Sequence, residues 1–174
     1  MTTKKTIMSL GRELIQLKGI NGFSFADIAN SMGIKKASIH YYFPSKSDLI
    51  EEILDQYTTD FFDSLEEEVA ADKRKNLEVF VAQYRQNLVH NKICLCSDLA
   101  MDTNNLSDDI NKKVAAFFQA NLIWLEKILD LQEQGKEVAA DFFAQIQGAQ
   151  LISRNQGNTT YFDQVMARSI ERLV

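Results

Sequence analysis

An all-α chain of about nine helices is predicted by three observations. The 174 residues hold a single proline, Pro44, and seven glycines, four of which (Gly11, Gly19, Gly22 and Gly33) fall in the first 33 positions. Leu, Ala, Glu, Lys and Gln, which lose little on entering a helix, are abundant. Apolar residues recur at spacings of three and four, the repeat that lines one face of a helix.

The first helix is expected from about Lys5 to Lys18, with Ile7, Leu10, Leu14, Ile15 and Leu17 as its apolar set. Gly19 and Gly22 bracket a turn. Ser24 with Asp27 three residues on makes a capping-box-like start, and Phe25, Ile28, Ala29 and Met32 follow at helical spacing. Gly33 ends this second helix in a tight turn. The third helix covers about Lys35 to Tyr42 and stops at Pro44, which has no N–H to extend it. Ser45 with Asp48 repeats the cap and opens a long fourth helix through Leu49, Ile53, Leu54, Tyr57, Phe61 and Leu65. Beyond it, helices are expected over about Lys75 to His90, Ile93 to Met101, and Asp108 to Leu131 behind the cap Ser107. Two more follow, about Glu137 to Arg154 after a break at Gly135, and about Thr159 to Leu173 after Gly157.

Composition narrows the class. Apolar residues make up 45% and charged residues 25%, ordinary for a globular protein. No apolar run approaches the roughly 20 residues that span a bilayer, and the N-terminus lacks the apolar stretch of a secretory signal. A cytoplasmic protein without a membrane partner is the expectation. Cys94 and Cys96, one residue apart, are poorly spaced for a staple and too few for a zinc site, so thiols in a reducing compartment and no metal or cofactor are expected. The net charge of −5 divides unevenly. Residues 1–50 carry seven basic and three acidic side chains, net +4; the remainder carries 12 and 21, net −9. A basic head on an acidic body confines attraction for phosphate to one end.

Within that head, the run from Ser24 to Leu49 has the makings of two short helices crossing steeply. Ala29 permits close approach, Gly33 makes the turn, and Ile34 and Ile39 fill the gap. The second of these helices is then available to a major groove, which is wide enough to admit it. Lys35, Lys36, Ala37 and Ser38 at its N-terminal end would meet base edges, and His40, Tyr42 and Lys46 would sit along the backbone phosphates. Phe25, Ile28, Ile39 and Phe43 are expected as core, and Tyr41 is expected to be packed rather than turned to DNA.

The stretch from about Leu10 to Leu54 resembles the DNA-binding domain of the TetR/AcrR family of regulators. The resemblance is carried by Phe25-x-x-Ile28-Ala29, Met32-Gly33-Ile34, Ser38-Ile-His-Tyr-Tyr-Phe43 and Ser45-Lys46-x-x-Leu49. It implies a helix-turn-helix DNA-binding domain over residues 1–48 and a helical ligand-binding and dimerisation domain over 49–174. It places Ser24, His40, Tyr42 and Lys46 on phosphates and Lys36, Ala37 and Ser38 nearest the bases. His40 departs from the tyrosine that many members carry there, which makes phosphate grip depend on imidazole protonation.

The body is aromatic-rich: Tyr57, Phe61, Phe62, Phe80, Tyr84, Phe117, Phe118 and Trp124. The resemblance implies a ligand cavity there, lined by Phe61, Phe80, Tyr84, Phe117 and Trp124; the alternative is that these rings fill the core. Cys94 and Cys96 lie near a helix start with Lys92 close by, conditions that favour thiolate and fit a sensor of thiol-reactive compounds, with Cys94 facing the pocket. As small buried hydrophobes they need no such role. Along the last two helices Phe142, Ile146, Ala149, Phe162, Met166 and Ile170 belong to broad apolar faces. Two copies could join them as a four-helix bundle about a two-fold axis, or one chain could close them as a hairpin.

The expected function is a ligand-responsive regulator, in the sense of a repressor, binding a palindromic operator in double-stranded DNA as a homodimer. Release would follow a small-molecule effector or cysteine modification. No Ser/His/Asp set, phosphate-cradling glycine loop or metal cluster appears, and no catalytic residue is assigned. A His90–Cys94 nucleophile and a non-enzymatic helical interaction protein are the rival readings.

Overall fold

The computed structural model describes residues 2–130 and 134–174, and every regular element among them is helical. The elements are α1 (Thr3–Lys18), α2 (Phe25–Met32), α3 (Lys36–Tyr42), α4 (Lys46–Glu68), α5 (Lys73–Val89), α6 (Leu95–Ala100), α7 (Asp108–Leu129), α8 (Gly135–Gln156) and α9 (Thr160–Glu171). Short 3-10 turns stand at Ile20–Gly22 and Thr103–Asn105. The expected end of the seventh helix at Leu131 lies outside the described residues.

The helix starts follow local chemistry. Asp27 accepts from both the N–H and the hydroxyl of Ser24 at 2.7 Å, and Asp48 does the same for Ser45. The Ser45 hydroxyl accepts in turn from the Asp48 N–H at 3.2 Å, which completes that box. Ser107 caps α7 through the Ile110 N–H. Gly33 ends α2 at φ 65°, ψ 30°, a left-handed conformation that glycine enters without steric penalty. Gly135, expected as a break, is instead the buried first residue of α8. Glycine costs less there than in a helix interior, where its conformational freedom weighs most against it.

Two compact units divide the chain: Met1–Thr59 with Leu95–Ala115, and Asp60–Cys94 with Ala116–Val174. In the first, Ile7, Ile15, Ile28, Ile39, Phe43, Leu49 and Ile53 are buried. Gly11 brings α1 close to α4, since a Cβ there would stand 3.0 Å from Ile53 Cδ1 and 3.2 Å from Leu49 Cδ2.

The second unit packs α5 against α8 and α9, and α8 against α9. The left-handed Gly157 closes α8, and the buried Ser153 hydroxyl accepts from the Phe162 N–H at 2.9 Å, tying the hairpin together. Phe142, Ile146, Ala149, Phe162, Met166 and Ile170, expected at an interface between copies, are buried within the single chain. They lie on helices that pack on each other and on α5, so the chain itself covers them. The large apolar residues these helices leave exposed are Leu151 and Ile152, at 51% and 40%.

Candidate DNA interface

Helix α3 buries one residue, Ile39, which anchors it in the first unit. Lys35 at its N-cap, then Lys36, Ala37 and Ser38, are all exposed, as the sequence predicts. Tyr41 corrects the expectation: it is 83% exposed. Successive residues turn by about 100°, so Tyr41 lies roughly 200° round from Ile39 and on the face of Ala37, four residues earlier. That i, i+4 relation to Ala37, a residue expected near the bases, was the signal available in the sequence. Tyr42 is half-buried, with its ring 5.1 Å from that of Tyr41 in an edge arrangement.

His40 is exposed but not idle. Its ring meets Phe25 edge-on at 5.0 Å, and Nδ1 lies 3.2 Å from the Pro44 carbonyl oxygen. A carbonyl only accepts, so Nδ1 carries the hydrogen, and Nε2 is then an acceptor in the neutral ring. Donation from Nε2 to a phosphate requires the imidazolium. Ser24 is exposed, with its hydroxyl donated to Asp27; these bonds, the hydroxyl's first, hold the Asp27 carboxyl below the usual carboxylate range.

Lys46, the first residue of α4, turns back towards the α1–α2 connection. Its ammonium donates to the carbonyls of Ile20 and Phe23, the latter at 2.8 Å, and stands 4.0 Å from the centre of the Phe23 ring. Burial pushes its pKa down, partly opposed by the charge of Asp27. The same turn is held at Asn21, which donates to Asp102 at 2.6 Å.

In the second unit the expected effector residues do come together, packed on one another. Phe61 meets Phe80, Tyr84 and Phe117 edge-on at 6.2, 5.6 and 5.1 Å, and Phe80 stacks on Trp124 at 5.1 Å. Trp124 is half-buried and the other four are buried. Tyr84 donates to Asn121 Oδ1 at 2.8 Å, and Asn121 donates to the Phe117 carbonyl at 2.7 Å, a satisfied polar pair inside the aromatic cluster that sequence reading missed. Cys94 and Cys96 are both fully buried, and the Cys94 N–H donates to Gln150 Oε1 at 3.0 Å. His90 is exposed, so it does not join the buried Cys94 in a nucleophilic pair. Among the described residues no group of three or more His, Cys, Asp or Glu is placed to hold a metal ion.

Comparison with known proteins agrees with this architecture. A crystal structure of a TetR transcriptional regulator from Legionella pneumophila is 29% identical and superposes with a TM-score of 0.92 over 99% of this chain and 97% of that one. A TetR-family regulator from Agrobacterium tumefaciens is 28% identical, with a TM-score of 0.90 over 97% and 96%. An uncharacterised HTH-type transcriptional regulator of Lactococcus lactis is 27% identical over 86% of this chain and 82% of its own length. The HTH-type transcriptional repressor KstR2 of Rhodococcus jostii is 31% identical over 77 residues, 43% of this chain and 38% of that protein. Residues 7–53 match the family model described as bacterial regulatory proteins, tetR family. That segment, which carries α2 and α3, is a domain of the tetR family of bacterial regulatory proteins, and the whole chain has the fold of the TetR regulators it superposes on.

Proposed function

We propose that the protein is a repressor that binds a palindromic operator as a homodimer and is released by a small-molecule effector. The observation that carries this reading is α3: a short helix with a single buried anchor and a continuous exposed face of Lys35, Lys36, Ala37, Ser38 and Tyr41. Such a helix fits the major groove, where lysines meet guanine edges or phosphates and a phenol reaches base or backbone. His40 in its imidazolium form and Tyr42 flank it as phosphate contacts, whereas Ser24, expected among them, gives both its N–H and its hydroxyl to Asp27. Repression is favoured over activation by the likeness to KstR2. By role, residues 1–48 read DNA and residues 49–174 bind effector and dimerise. No helix among the described residues is long and apolar enough to cross a membrane. A DNA-binding role supports a cytoplasmic location.

The dimer contact is assigned to the outer strip of α8 and α9. Leu151 and Ile152 are exposed there, with Gly148 between neighbouring turns and Tyr161 and Val165 half-buried on α9. Two such strips about a two-fold axis make a four-helix bundle and set the spacing of two reading heads. The effector site is assigned to the cluster of Phe61, Phe80, Tyr84, Phe117 and Trp124. The apolar rings of this cluster suit an apolar effector. Burial of both thiols favours a small molecule over cysteine modification as the signal. Effector binding then shifts α4, whose residues Lys46–Thr59 belong to the first unit and Asp60–Glu68 to the second.

Binding of the full chain to duplexes drawn from its own upstream DNA tests the reading. Affinity should fall steeply with salt and collapse when Lys36 and Tyr41 are replaced together; binding unaffected by that double change would overturn it.

A further inference from the structure

We propose that Lys46 is a positioning residue of the reading head: its ammonium holds the turn Ile20–Phe23 against the start of α4, and so sets where α2 begins. This rests on the DNA-binding reading but departs from a phosphate role for Lys46.

Three contacts converge on one nitrogen. Two carbonyl oxygens, those of Ile20 and Phe23, accept from it, and the Phe23 ring covers it at 4.0 Å. An ammonium has three donors, so a phosphate could be offered only the third. Swinging out to DNA would break both bonds and strand two carbonyls on a partly buried turn. The sign of the local field agrees. Lys46 opens α4, where the partial positive charge of the helix start repels a cation, and the carbonyl pair together with the nearby charge of Asp27 on α2 offsets that repulsion. The held turn leads directly into Phe23, Ser24 and the first residue of α2, so its position governs where the Ser24 cap stands.

A salt titration separates positioning from phosphate contact. Loss of a phosphate contact lowers the slope of log affinity against log salt concentration by about one, whereas loss of positioning lowers affinity at every salt concentration alike. Lys46→Met and Lys36→Gln would be compared in the full chain, on a duplex that the full chain enriches from a random-sequence pool. Amide hydrogen exchange over residues 19–25 would be followed in the same variants without DNA. Lys46→Met should weaken binding about tenfold with its slope unchanged and speed exchange in the turn; Lys36→Gln should lower the slope and leave exchange alone. A lower slope for Lys46→Met with exchange unchanged overturns the proposal. Should Lys46→Met fail to fold, Lys46→Gln, whose amide still reaches one carbonyl, carries the same comparison. Should the pool yield no enriched duplex, the DNA-binding reading fails, and the exchange of the turn alone decides for or against the clamp.

Discussion

Helix α3 buries Ile39 and leaves Tyr41 83% exposed, whereas α8 and α9 bury eight apolar side chains between them and leave Leu151 and Ile152 as their large exposed ones. Isoleucine and aromatic side chains occur in both; what packs around them differs. A seven-residue helix held on one face presents the rest of its circumference to the surroundings. Helix α8 packs on both α5 and α9, which cover one side of it and leave the other open. Side chains on α3 are therefore available for recognition with little bearing on stability, while those buried along α8 and α9 matter chiefly for stability.

The contrast can be broken or sharpened by substitution. The largest effect is expected in the second unit's core, where Phe80 is fully buried among Phe61, Tyr84, Trp124 and Phe143. Phe80→Ala should lower unfolding stability by about 3–5 kcal/mol in chemical denaturation, and a loss under about 1 kcal/mol would mean the cluster is loosely packed. On α3, Tyr41→Ala should weaken operator binding roughly tenfold, an effect of about 1.4 kcal/mol. Its unfolding midpoint should stay within about 0.5 kcal/mol of the parent, so a large loss of stability would erase the distinction between the two regions. On the open arc of α8, Ile152→Glu should convert dimer to monomer in sedimentation while preserving the helical spectrum; an unchanged dimer would move the interface elsewhere.

The smallest effect belongs to the surface tie between α5 and α9. Arg85 forks onto Asp163 at 2.7 and 2.9 Å and also donates to Thr159, and this partnership, the Arg85 bond first, holds the Asp163 carboxyl below its ordinary range. Both partners are more than a third exposed, so screening limits the pair to about 1 kcal/mol or less. Because the folded-state pKa is the lower one, that contribution is complete above the unfolded aspartate value near 4 and disappears as pH falls through the depressed value. Arg85→Ala should therefore narrow the gap to the parent on acidification below about pH 4, measured by thermal unfolding in low salt.

What was legible in the sequence was local. Ser24 with Asp27, Ser45 with Asp48, and Gly33 each satisfy backbone groups within three or four residues, so their roles could be read directly. The periodicity gave the helices, and the spacing around α3 gave Lys35, Lys36, Ala37 and Ser38 their exposed places. What escaped depends on distant partners. Which face of α8 turns inward is decided by α5 and α9, and periodicity marks an apolar face without saying what covers it. The carbonyls that take Lys46 lie 23 and 26 residues upstream, and Asn121 meets Tyr84 across 37 positions. Tyr41 shows a third cause: its aromatic character weighed towards burial, and the short length of α3 decided otherwise.

The single anchor of α3 also bears on how such a protein diversifies. Because Ile39 is the one buried side chain of that helix, with His40 and Tyr42 as its lesser contacts, Lys35, Lys36, Ala37, Ser38 and Tyr41 can be exchanged with little loss of fold. A duplicated copy can thus drift to a new operator through a handful of surface changes while its core is inherited intact.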